Sequence, residues 1–141
     1  MRSLVIGVGN VRRGDDGAGP AVAEVVERRV PQVRTVVVQQ LVPELADELS
    51  RVDQAIFVDA SAAVDRVAVR DVAPHAGSGC SHVFSPAELV ALCHDAYGVT
   101  PARVWQIEVP ASRFDLGEGF SAATRRGVDE AARRVVELIG D

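Results

Sequence analysis

The chain has no lysine: all fifteen of its basic residues are arginine. Schiff-base chemistry, covalent attachment of pyridoxal phosphate and the lysine of a phosphate-binding P-loop are therefore excluded. Cysteine is scarce as well. Cys80 and Cys93 are too few for a disulfide scaffold, and both are expected as free thiols in a reducing compartment. No apolar run approaches the roughly 20 residues a membrane helix needs, and the opening Met1 to Gly7 reaches glycine too soon for the apolar segment of a signal peptide. A soluble, cytoplasmic protein with no membrane partner is the expectation. Positive charge is not in excess either, since the net charge is −5, and an affinity for nucleic acid built on counterion release is not expected.

What is present suits one folded domain spanning 1–141. A chain of 141 residues lies at the commonest single-domain size, and 48% hydrophobic residues are ample for a core. Short β-branched runs alternate with helical patterns, the mark of a βαβ succession. Leu4–Ile6 reads as a buried first strand, followed by a glycine-rich turn and a helix from Pro20 whose Val22, Val25, Val26 and Val30 recur at helical spacing. Val33 to Val38 and Ala55 to Val58 read as further strands, with a short helix opened by Pro43 between them. Val67 to Val72 alternates apolar and charged residues as an edge strand would. Ser85-Pro86-Ala87-Glu88 is a capping box that starts a helix. Val104 to Val109 is another strand, and Val128, Ala132, Val135, Val136 and Ile139 stripe a C-terminal helix. The fold class is α/β: a three-layer domain with a mostly parallel central sheet of about five strands flanked by helices.

The stretch Gly7 to Gly19 joins the first strand to the first helix, at the sheet edge where open α/β folds bind ligands. A dinucleotide fingerprint fails here twice. Arg12 stands where the third glycine belongs, and Gln39 replaces the ribose-binding acid after the second strand. Asp15 and Asp16 ahead of the helix would also repel a pyrophosphate and suit a cation, although an aspartate there can simply cap the helix. Asp59 ends a buried strand on the same edge, where a carboxylate is costly unless paired, hydrogen-bonded or metal-bound; a turn cap through Ser61 is the plainer alternative. His82 would complete an acid, acid and imidazole set for a divalent ion such as nickel, zinc or manganese. Cys80 beside His82 raises a thiol nucleophile with a histidine base, but such pairs are usually distant in sequence. Cys93 reads as core, His75 and His94 as solvated, and Trp105 as a packing residue.

Gly7-Val8-Gly9-Asn10 with Gly14-Asp15-Asp16-Gly17-Ala18-Gly19-Pro20 resembles the N-terminal signature of the nickel-iron hydrogenase maturation endopeptidases. Gln40 to Leu45, Ile56 to Ala60, Ser81-His82 with Ser85 to Leu89, and the Val109-Pro110 to Ser121 segment follow in the family's order, so the resemblance covers essentially the whole chain. It implies a small α/β endopeptidase, acting as a monomer, that removes the C-terminal extension of a hydrogenase large-subunit precursor after nickel insertion. It also implies that Asp16, Asp59 and His82 are both the metal ligands and the catalytic residues. The implied metal is nickel already held by the substrate, and no organic cofactor is expected. Two chemical routes stay open: a metal-polarised carbonyl with metal-bound water, or a carboxylate base beside a metal used for recognition. The competing readings are a non-catalytic metallochaperone or checkpoint factor for the same precursor, and a nucleotide-binding α/β domain.

Overall fold

In the computed structural model, residues 1–75 and 84–140 are described. The first strand, β1 (Ser3–Val8), is buried from Ser3 to Gly7, as its unbroken apolar run requires. A 3₁₀ turn (Gly14–Gly17) follows and leads directly into α1 (Ala18–Arg29), so the helix begins two residues before the expected Pro20, which occupies its first turn. The chain continues through β2 (Arg34–Val38), a five-residue α2 (Leu45–Leu49), β3 (Gln54–Ser61), β4 (Ala68–Asp71), α3 (Pro86–Tyr97), β5 (Arg103–Pro110) and α4 (Ala122–Gly140). Every expected strand is present, with β1, β3 and β5 running one to three residues beyond one or both of their expected ends.

The five strands form one sheet in the order β2-β1-β3-β5-β4. All neighbours are parallel except β4, which runs antiparallel to β5. Its direction follows from chain length. Only residues 62–67 separate β3 from β4, and a parallel return needs a crossover of a dozen residues or more. β4 also lies at the sheet edge, as its alternating charges predicted.

The alternation of side chains sorts the core into two layers. Val5, Ile56, Val58, Ile107 and Val109 face α1 and α4, meeting Val22, Val26, Val128 and Val135. Leu4, Ile6, Ala55, Phe57 and Val104 face the other way, meeting Leu45 and Leu49 of α2 and Leu89, Val90 and Cys93 of α3. Cys93 is fully buried, its Sγ 3.1 Å from the Val99 carbonyl oxygen. Trp105 packs against the first layer and donates from Nε1 to Gln54 Oε1 at 3.1 Å, so both assignments hold. No helix among the described residues is long and apolar enough to cross a membrane.

Candidate active site at the carboxyl edge of the sheet

The sheet order determines where a ligand fits. From β1 the chain leaves for β2 on one side, while from β3 it leaves towards β4 and β5 on the other, and such a reversal opens a crevice beyond the carboxyl ends of the two central strands. Val8 at the end of β1 stands in register with Asp59 of β3. Counting by twos from Ala55 and Phe57, Asp59 must emerge on the α2 and α3 face, just beyond the apolar layer. A cleft of about 530 Å³ lies there. Its floor includes Phe57, Asp59 and Gln106, one wall is Gln39, Gln40 and Leu41, and the other is Phe84, Ser85 and Pro86.

Asp59 has poor company for a carboxylate. Among the described residues the nearest donor, Gln106 Nε2, is 3.5 Å from Oδ1, at the outer limit of a hydrogen bond. Glu108, in register with Asp59 on β5, carries a second negative charge, and Arg70 on β4 is engaged with that glutamate. Burial pushes the Asp59 carboxyl up to about 6, with the Glu108 and Asp16 charges adding to the rise and Gln106 and Arg70 opposing it. The plainer turn-cap alternative is not what forms. β3 continues through Ser61, whose Oγ accepts instead from the Ala63 backbone N–H at 3.1 Å.

Asp16 belongs to the 3₁₀ turn and points back along the chain, where its Oδ2 accepts from the Asn10 backbone N–H at 2.7 Å. It caps no helix: the residue before α1 is Gly17, which makes no side-chain cap. The tight fold of this turn requires Gly9, which has φ +150° and whose missing Cβ leaves room for the Asp16 carbonyl. Gly19 has a related role, since a Cβ there would meet the Val8 and Val58 carbonyls that flank the start of α1.

Asp15 corrects the expectation of two adjacent carboxylates facing one cation. Its side chain turns inward and is fully buried, accepting from the backbone N–H groups of Ser112, Arg113 and Ser121 at 2.8–2.9 Å and from Ser121 Oγ at 2.9 Å. Burial alone would raise its pKa, but these four donors outweigh that and hold the carboxyl well below the usual range. Asp15 is thus a structural tie between the 3₁₀ turn and the segment after β5.

Of the three expected ligands, the structure places Asp16 and Asp59 near enough to influence each other electrostatically. His82, like Cys80, falls outside the described residues. Among the described residues no group of three or more His, Cys, Asp or Glu side chains is placed to hold a metal ion. His75 and His94 are exposed, as expected. Gln106 and Glu108 were missed by the sequence reading. Their signal was available: two polar residues at alternate positions near the carboxyl end of a strand that proves to be interior rather than marginal.

No family model matches the chain, and no curated protein is similar to it in sequence. Solved structures are. The hydrogenase maturating endopeptidase HybD from E. coli is similar with a TM-score of 0.75 at 18% identity, covering 99% of this chain and 92% of that one. The [NiFe] hydrogenase maturation protease HybD from Thermococcus kodakarensis gives 0.75 at 20% identity, over 98% and 99% of the two chains. The hydrogenase 2 maturation peptidase from Thaumarchaeota archaeon SCGC_AB-539-E09 gives 0.74 at 22% identity, over 99% of each chain. The protein therefore has the fold of the hydrogenase maturation endopeptidases, carried over the full length of the chain.

Proposed function

We propose that this protein is an endopeptidase that removes the C-terminal extension of a nickel-iron hydrogenase large-subunit precursor once nickel has been inserted, with Asp16, Asp59 and His82 as its metal-contacting and catalytic residues. The observation that carries the proposal is Asp59: a largely buried carboxylate with, among the described residues, one weak donor and two like charges nearby, and with an open cleft in front of it. A carboxylate left so poorly compensated costs stability, and a cation arriving in the cleft relieves that cost. The donor set fits: two carboxylates and an imidazole suit a borderline divalent ion such as nickel. Phe84, two residues after His82 in sequence, lines the cleft, which supports His82 as the third member.

Nickel here belongs to the substrate, and its chemical contribution is to hold the precursor and polarise the bond that is cut. The chain's own residues do the rest. Through a carboxylate oxygen left free of nickel, Asp59 takes a proton from an attacking water and returns it to the departing amine. Asp16, held by the Asn10 N–H, presents its remaining lone pairs without having to reorganise. The walls of glutamine, leucine and phenylalanine enclose an extended peptide and limit the access of bulk water.

The test is incubation with nickel-loaded precursor, followed by mass spectrometry. The precursor is expected to lose its extension, nickel-free precursor to stay intact, and Asp16→Ala and His82→Ala proteins to leave both uncut. A nickel-loaded precursor that is bound but keeps its full mass overturns the peptidase in favour of a non-catalytic checkpoint factor.

A further inference from the structure

The sheet has two edges, and they are treated differently. β4 is four residues long and carries Arg70 and Asp71, the charged type of edge that natural proteins use to discourage added strands. β2 reads Arg34-Thr35-Val36-Val37-Val38, with no proline or lysine, and Val37 is 55% exposed. The Gly9 N–H donates to the Val38 carbonyl at 2.9 Å, so Val38, Val36 and Arg34 direct their backbone groups towards β1. By alternation Thr35 and Val37 direct theirs outward. β2 pairs with no strand on that side, and outside the sheet ladder neither residue has a backbone hydrogen-bond partner among the described residues. An open, β-branched edge of this kind is a template for one more strand.

We propose that the β2 edge binds the extended C-terminal segment of the precursor as an added strand, through the outward N–H and C=O groups of Thr35 and Val37. The inference rests on the processing reading above and supplies its docking mode. The edge is continuous with the site, because Val38 runs directly into Gln39–Leu41, one wall of the cleft. Reach is adequate as well. Val8 pairs with Val38 on one side and Asp59 on the other, so those two residues stand level, two strand spacings or about 10 Å apart. An added strand lies one spacing further out, and about four or five extended residues carry the chain from there to Asp59. A second copy of this chain is the less suitable occupant, because each copy carries a net charge of −5 and the two repel.

Proline discriminates. The Val37 N–H faces outward, so Val37→Pro breaks no bond to β1 and is of the type that edge strands tolerate, yet it deletes a docking donor. With nickel-loaded precursor, Val37→Pro is expected to raise KM about ten-fold at unchanged kcat, from the loss of one main-chain hydrogen bond and the ring's obstruction of its neighbour. Val37→Thr, which keeps the N–H, stays at the wild-type value. Independently of whether the proline variant folds, hydrogen exchange at the Thr35 and Val37 amides of Asp59→Asn protein is expected to slow when precursor is added. Wild-type cleavage with Val37→Pro equal to Val37→Thr, and no protection at these amides, overturns the edge and leaves the processing reading intact. Protection without cleavage by the wild-type protein upholds the edge and defeats the processing reading. Absence of both defeats both, and protection that grows with protein concentration in the absence of precursor assigns the edge to a second copy.

Discussion

Asp15 and Asp59 are both carboxylates withdrawn from water, and the protein handles them in opposite ways. Around Asp15 four donors converge, three of them backbone N–H groups of one returning segment, so the charge is satisfied by groups that would otherwise lack partners themselves. Around Asp59 the described residues supply one distant amide and more negative charge. The first arrangement lowers a pKa and fastens the structure. The second raises a pKa and stores unfavourable energy at the mouth of a cleft, as sites built to receive a cation or a proton commonly do. Adjacent residues also diverge: Asp15 is tied to a segment about a hundred residues away, whereas Asp16, one position on, accepts from the nearby Asn10 N–H and adds its charge to the field at Asp59.

The contrast can be broken most severely at Asp15. Replacing it with alanine leaves three half-buried backbone N–H groups and a hydroxyl without their acceptor, and chemical denaturation is expected to show a loss of about 2–4 kcal/mol. Asp59→Asn should do the reverse. Its folded pKa of about 6 lies above the ordinary 3.8, so the ionised form is disfavoured by folding, and removing that charge is expected to stabilise the protein by about 1–2 kcal/mol at pH 7 while abolishing precursor cleavage.

The same two residues separate on the pH axis. Asp59 contributes stability below about pH 4 that is lost as the pH rises through 6, because the folded state holds the proton longer than the unfolded state does. Asp15 contributes stability present above the ordinary carboxylate range and lost as the pH falls below it. Unfolding free energy measured from pH 3 to 8 should therefore lose its decline between pH 4 and 6.5 in Asp59→Asn and its acid limb in Asp15→Ala. The smallest expected effect is at Gln106. Gln106→Leu removes the donor that opposes burial, and NMR titration of the metal-free protein should place the Asp59 midpoint less than about one unit above the wild-type value.

Much of this was legible in the residues. The capping box at Ser85 forms as written, with Ser85 Oγ accepting from the Glu88 N–H at 3.1 Å and Glu88 Oε1 from the Ser85 N–H at 3.0 Å. Capping is a local interaction, decided within one turn of chain. That Asp59 closes the buried run of β3 was legible for the same kind of reason, since an acid after several buried apolar residues has few ways to be accommodated, although the strand itself runs on to Ser61. The difference between Asp15 and Asp16 was not legible. Both are small acids in a glycine-rich turn, and their roles depend on Ser112, Arg113 and Ser121, about a hundred residues away in sequence.

Taken alone, the amino-acid sequence determined the alternation of strands and helices, the exclusion of lysine chemistry and the set of acids available to a site, because periodicity, capping and composition act over a few residues at a time. The tertiary structure decided which acid would be satisfied and which left in need, which strand would be left as an open edge, and that β5 would bring Gln106 and Glu108 beside Asp59. Those outcomes come from pairings between distant segments, where the burial of one charge depends on donors that only the folded chain brings to it.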